Sequence, residues 1–123
     1  MRSRLPVAAL VGSALITSAC DFIPGGYSCT AQAVPGVMVH VLDSLTGASA
    51  GRDARIIARD GAVADTADQA TYDGPYPLAF ERPGTYTVTV EQEGYRLWSV
   101  TGVRVTKDEC HVRTVTLAAR LQQ

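Results

Sequence analysis

The sequence predicts an all-β domain, a seven-stranded Greek-key β-sandwich, and three observations lead there. From Thr85 to Glu91 the chain alternates strictly, with Tyr86, Val88 and Val90 on one face and Thr85, Thr87, Thr89 and Glu91 on the other. A period of two with aromatic and β-branched residues is the pattern of a strand with one face buried and one in water. Shorter alternating runs recur along the chain, broken by turn signals at roughly the spacing of sandwich strands. The composition is that of one globular domain: 123 residues, 46% apolar and 19% charged, with disorder expected only at the ends.

Taken in order, the chain opens with Met1-Arg2-Ser3-Arg4, two positive charges, before an apolar run from Leu5 to Ile16. That run is too short to cross a bilayer core, which needs about twenty residues at the helical rise. A basic head, a short apolar middle and small residues ending at Ala19 describe a secretory signal. Thr17-Ser18-Ala19-Cys20 resembles the lipobox of bacterial lipoproteins, with small residues at the two positions before a cysteine and Thr17 where leucine is commonest. The resemblance implies that residues 1–19 are a lipoprotein signal peptide, cut between Ala19 and Cys20, and that Cys20 carries the lipid. The alternative is a conventional signal cut at the same place, with Cys20 an ordinary cysteine.

Cysteine arithmetic favours the first. Cys20, Cys29 and Cys110 are an odd number, and an unpaired thiol in an oxidising compartment needs an explanation. Lipidation of Cys20 leaves Cys29 and Cys110 as an even pair that brackets nearly the whole domain. No Cys-x-x-Cys spacing is present and only His40 and His111 could join a zinc site, so the pair reads as a structural disulfide. Two or more acyl chains hold a protein stably at a membrane, at about 0.8 kcal/mol per buried methylene. Residues 20–28, with Pro24-Gly25-Gly26 at their centre, then form a membrane-proximal tether, and Asp21 to Ser28 reaches no more than about 28 Å at ~3.5 Å per residue. The expected location is the bacterial cell envelope, lipid-anchored and facing the periplasm or exterior, on a membrane that the residues leave open.

The domain proper is expected over residues 29–123. Val34 to Leu42 reads as a strand buried on both faces for part of its length, and Asp43-Ser44-Leu45-Thr46-Gly47 as the turn that closes it. Asp53 to Asp60 places Ala54, Ile56 and Ala58 inward, and Asp60-Gly61 is a hairpin signal leading into Ala62-Val63-Ala64. Asp65 to Pro77 is turn-rich and aperiodic. Pro77 to Phe80 reads as a short edge strand. Thr85 to Glu91 is the central strand. In Leu97 to Val105 the apolar parity shifts, which a bulge at Thr101-Gly102 absorbs. The last strand is expected from about Cys110 to Leu121, with Arg113 in phase with Val115 and Leu117, so its inner face is ambiguous.

Val39-His40-Val41-Leu42-Asp43-Ser44-Leu45-Thr46-Gly47, followed by Ala54-Arg55-Ile56, then Pro83-Gly84-Thr85-Tyr86-Thr87-Val88 and Glu93-Gly94-Tyr95, resembles the carboxypeptidase regulatory-like domain family. The resemblance spans nearly all of residues 34–121 and implies a transthyretin-like (prealbumin-like) fold. The family often carries Thr-Asp-x-x-Gly-x-Tyr before the Pro-Gly turn, and Thr71-Tyr72-Asp73-Gly74-Pro75-Tyr76 is rearranged relative to it. In that family the domain is non-catalytic, a folding or recognition module attached to peptidases or envelope proteins.

Charge and motif content exclude several function classes. Without residues 1–19 the chain loses Arg2 and Arg4, leaving 9 of its 11 basic residues against 12 acidic ones, no footprint for nucleic acid. No Gly-x-Ser-x-Gly, Gly-rich phosphate loop or His-Glu-x-x-His is present. The hydroxyisourate hydrolases of transthyretin-like fold end in Tyr-Arg-Gly-Ser, which Leu117 to Leu121 does not match. The chain has no asparagine, which rules out a Lys-Asn isopeptide crosslink. No catalytic residue, metal or cofactor is therefore expected. Weaker constellations are a convergence of His40 with His111, a calcium site at Asp65, Asp68 and Asp73, and an aromatic ligand patch of Tyr72, Tyr76, Phe80 and Trp98 for a glycan or peptide. Against the patch stands the reading of Phe80 and Trp98 as core, because large aromatics dominate small cores. The partners expected are the membrane, through the lipid, and an envelope protein or glycan.

Overall fold

The computed structural model describes residue 26, residues 28–67 and residues 71–123. Among these the regular structure is all β, in seven strands: β1 (Val37–Asp43), β2 (Arg55–Asp60), β3 (Val63–Ala67), β4 (Tyr76–Leu78), β5 (Gly84–Glu91), β6 (Trp98–Val105) and β7 (Val115–Leu121). They form two sheets, β4-β1-β7 and β3-β2-β5-β6. All neighbours are antiparallel except β1 and β7, which run parallel from Val37 opposite Val115 to Asp43 opposite Leu121.

One apolar cluster lies between the sheets. Val37, Val39, Val41, Leu78, Ala119 and Leu121 enter it from the first sheet, and Ile56, Ala58, Tyr86, Val88, Val90, Val103 and Val105 from the second. Both sets follow the two-residue period of a pleated strand, so alternation in sequence becomes a dry layer in space. The layer closes at its sides, where β3 lies against β4 and β6 against β7. At the first of these sides Asp65 Oδ2 accepts the Ala79 amide at 2.7 Å.

β5 is central, between β2 and β6. Its Tyr86, Val88 and Val90 are buried as the alternation requires. The parity shift in β6 is the expected bulge. Tyr86 pairs with Val103 and Val88 with Val100, so Thr101 and Gly102 stand opposite Thr87 alone, and Gly102 takes φ +70°, which favours glycine. The ambiguity of β7 resolves in favour of Val115, Leu117, Ala119 and Leu121 as the inner face.

Several boundaries differ from the sequence reading. β1 starts at Val37, and its outer face is only half-covered, with His40 exposed between Met38 and Leu42. β3 continues to Ala67, held by pairing with β2 that local turn propensity does not reveal. β4 is Tyr76–Leu78, because the chain turns at once afterwards with left-handed φ at Ala79 and Glu81. β7 starts at Val115, because Cys110 belongs to a separate loop. There Asp108 Oδ1 accepts the amides of Cys110 and His111, and Lys107 bridges to Val112.

Two tyrosines lock strand entries in the same way. Tyr86 Oη donates to the Arg82 carbonyl at 2.8 Å and Tyr76 Oη to the Tyr72 carbonyl at 2.6 Å, each four residues upstream, which lets a buried ring keep its hydroxyl satisfied. Burial pushes both phenols up from their ordinary value.

The Tyr76 ring also sits directly on Gly51, where a Cβ would collide with the ring and its hydroxyl. Gly51→Ala should therefore lower unfolding free energy by about 1–3 kcal/mol, the usual range for overpacking, read as a reduced urea midpoint at unchanged slope. An unchanged midpoint would contradict this close approach.

Candidate functional site

Strand directions give the sandwich two poles. β6 runs into the Cys110 loop and β7 runs out of it, so the ends of β6, the starts of β1 and β7 and the Glu81 turn share one pole. The starts of β6 and the ends of β1, β5 and β7 share the other. An eight-residue strand spans about 26 Å between them.

At the first pole the N-terminal segment is fastened. Cys29 and Cys110 form a disulfide across 81 positions, with Cα atoms 5.2 Å apart. Closing a loop of that length in the unfolded chain corresponds to about 4–5 kcal/mol in the chain-entropy account. Beside it, Thr30 Oγ1 lies 3.0 Å from His111 Nε2, and His111 Nδ1 lies 2.6 Å from Glu81 Oε1. A carboxylate only accepts, so Nδ1 carries the proton toward Glu81. Glu81 Oε1 also accepts the Val34 amide at 2.8 Å, and the Glu81 amide donates back to the Val34 carbonyl at 2.9 Å.

The Val34 amide above all, and then His111 and the Val112 amide, hold the Glu81 carboxyl below its ordinary range, against an opposing push from burial. Hydroxyl, imidazole and carboxylate stand in the order of a nucleophile, a base and its orienting acid. Here, however, the acid is engaged in closing a backbone turn, and the two concavities described below lie at the other pole. The arrangement acts as a clasp that binds residues 29–34 to the Glu81 turn and the Cys110 loop.

At the second pole the buried Asp43 organises the ends of β1 and the β5–β6 connection. Its Oδ1 accepts the amides of Leu45 and Thr46 at 2.8 and 2.9 Å, and its Oδ2 accepts the Tyr95 hydroxyl at 2.8 Å. The Thr46 amide first, then Tyr95 and Leu45, hold the Asp43 carboxyl below the ordinary range, while the same contact pushes the Tyr95 phenol up. The Gln92 amide nitrogen donates to the carbonyls of Ala50 and Arg52, and Arg52 reaches the Thr71 carbonyl and the Asp73 carboxylate.

Two concavities flank Leu97 on this pole. One, of about 340 Å³, is lined by Arg96, Leu97, Trp98, Ser99, Arg120 and Gln122. The other, of about 370 Å³, is lined by Arg55, Glu91, Gln92, Glu93, Tyr95 and Leu97.

The residues singled out from the sequence are placed as follows. Cys29 and Cys110 are joined, whereas Cys20 lies outside the described residues. No helix among the described residues is long and apolar enough to cross a membrane. Tyr72, Tyr76, Phe80 and Trp98 do not form one surface. Tyr76 is a core residue, with Tyr72 packed on it at a ring separation of 5.1 Å. Phe80 is 44% exposed in the turn at the clasp pole, and Trp98 is half-buried at the side where β6 meets β7. Phe80 is thus not core, and Trp98 is core only in part.

β1 and β7 do pair, but that places His40 opposite Ala118 and leaves His111 in the clasp, so the two histidines do not converge. Asp65 is used by the Ala79 amide and Asp73 by Arg52. Asp68 lies outside the described residues, among which no metal-holding group of three occurs. The clasp and the Leu97 concavities escaped the sequence reading because Thr30, Glu81 and His111 have no characteristic spacing. Comparison with protein-family models and with curated proteins finds no match to this chain.

The clasp predicts the response to acid. A carboxyl held below its unfolded value contributes stability that is complete above that value and is lost as pH falls through the folded one. For Glu81 the unfolded value is the ordinary 4.5, so melting temperature should hold steady down to about pH 5 and fall below it. Glu81→Gln should melt lower than the parent at neutral pH and show a shallower fall between about pH 5 and pH 3. Parallel curves for the two proteins would contradict the assignment.

Proposed function

We propose that this chain is a lipid-anchored, non-catalytic β-sandwich module of the bacterial cell envelope that binds or supports another envelope component. In this reading residues 1–19 are the signal peptide, Cys20 bears the lipid, residues 20–28 are the tether and residues 29–123 the domain. The observation that carries it is where the chain enters the fold. The disulfide and the Thr30–His111–Glu81 contacts fix the entering segment at one pole. A tether of at most about 28 Å then holds that pole near the lipid, and the opposite pole, with its concavities, faces away.

Sulfur use supports the reading too. With Cys29 and Cys110 paired, Cys20 is the one cysteine left for the thioether. The path of the chain supports a Greek-key, transthyretin-like topology of the carboxypeptidase regulatory-like kind: from the β2–β3 hairpin it crosses to β4 in the other sheet, then returns to lay β5 beside β2. Asp43 and Tyr95, from two of the motifs that carry that resemblance, meet at 2.8 Å. The other reading, a carbohydrate or peptide receptor built on Tyr72 to Phe80, loses its basis because Tyr76 is buried and Phe80 lies at the other pole.

Metabolic labelling with an alkyne palmitate analogue tests the anchor. The parent chain should incorporate label and fractionate with membranes, and Cys20→Ala should do neither. A parent chain that takes up no label would sink the proposal.

A further inference from the structure

The concavity where the start of β6 meets the end of β7 has the equipment of a binding site. Arg96 and Arg120 both line it, and among the described residues neither guanidinium is paired with a carboxylate or hydrogen-bonded to the protein, unlike Arg52, which is engaged by Asp73 and Thr71. Each guanidinium presents a planar fork of donors matched to an oxyanion. Trp98 packs in part on the core and lines the concavity with the rest, an anchored aromatic surface. Ser99 and Gln122 add a hydroxyl and an amide. The volume of about 340 Å³ suits one or two sugar rings or a similarly small group.

The walls are held in place before any ligand arrives. Trp98 pairs with Val90 and Arg120 with Leu42 inside the sheets, and the Arg96 amide donates to the Gln122 carbonyl at 2.7 Å, tying the two walls together. The fixed backbone lowers part of the ordering cost of binding, and the two arginine side chains are ordered by the ligand itself. Recognition here falls to side chains: a flat apolar surface, amide and hydroxyl partners, and two cations.

We propose that this concavity binds an acidic saccharide, with a sugar ring stacked on Trp98 and its carboxylate held by Arg96 and Arg120. This deepens the envelope-module reading and rests on it for the source of the ligand, an acidic polysaccharide at the cell surface. It also explains the placement of the site at the pole away from the tether.

Trp98 is the only tryptophan in the chain, so the selectively excited tryptophan fluorescence of the full-length protein reads this site. Titration with trigalacturonate should give a saturable change that weakens as salt is raised. Maltotriose, neutral and of the same length, should bind at least ten-fold more weakly. Arg96→Ala and Arg120→Ala should each lose at least ten-fold in affinity for trigalacturonate while keeping the parental melting temperature, since both side chains are exposed and unpaired within the described chain. Equal affinity for maltotriose would overturn the role of the arginines. An equal response to inorganic phosphate would make the site a simple anion site and overturn the saccharide. A flat titration would overturn the proposal outright, as would a response unchanged in both arginine variants. None of these depends on lipid at Cys20, so a failed titration with intact palmitate labelling removes the ligand and leaves the anchored module standing.

Discussion

The bond between Cys29 and Cys110 decides from which end of the sandwich the amino-terminal segment leaves, and the placement of everything else follows from that. Without it, residues 29–34 would rest on a few exposed hydrogen bonds, of which the Thr30–His111 contact and the Val34–Glu81 pair are the main ones. Exposed contacts of that kind contribute little individually. The covalent link turns them into a permanent local geometry, because Thr30 and His111 are each the next residue after a bonded cysteine. The disulfide positions the hydrogen-bonded clasp, and the clasp in turn fixes the Glu81 turn that leads into β5.

The second pole is built on different chemistry. Among the described residues no covalent staple lies there, and a buried carboxylate does the organising. Asp43 satisfies two amides of its own turn and the Tyr95 hydroxyl from the other sheet, so no buried polar atom is left without a partner at the junction. A buried acid with all its acceptors engaged is a strong constraint on geometry. It holds the β5–β6 connection in a fixed position, and Arg96, Leu97 and Trp98 follow directly from it. The two poles thus differ in kind: one fastens the entering segment, and the other carries a concavity lined by Arg96 and Arg120.

Much of the fold was legible because it depends on period and parity. The inner face of β5 and the bulge at Thr101-Gly102 follow from the alternation of apolar residues, and the disulfide from sulfur arithmetic under the expectation of export. The aromatic patch was not legible. β4 is only three residues long, too short to show a period, so nothing in the sequence said that Tyr76 points inward while Phe80 is turned out by the left-handed residues on either side of it. The clasp was illegible for another reason. Glu81 and His111 are thirty positions apart and meet only because β6 and the Cys110 loop return the chain to the β4–β5 turn, a consequence of topology that no local pattern carries. The parallel pairing of β1 with β7, between the first strand and the last, is of the same non-local kind.

The central claim is that sulfur is divided, one cysteine for the lipid and two for the clasp. Peptide mapping by mass spectrometry of the mature protein, alkylated without reduction, tests it in one measurement. The account predicts a linked pair of peptides containing Cys29 and Cys110, and an amino-terminal peptide beginning at Cys20 with its thiol acylated rather than alkylated. Alkylated Cys29 and Cys110, or a bridge from Cys20 to either of them, would contradict it.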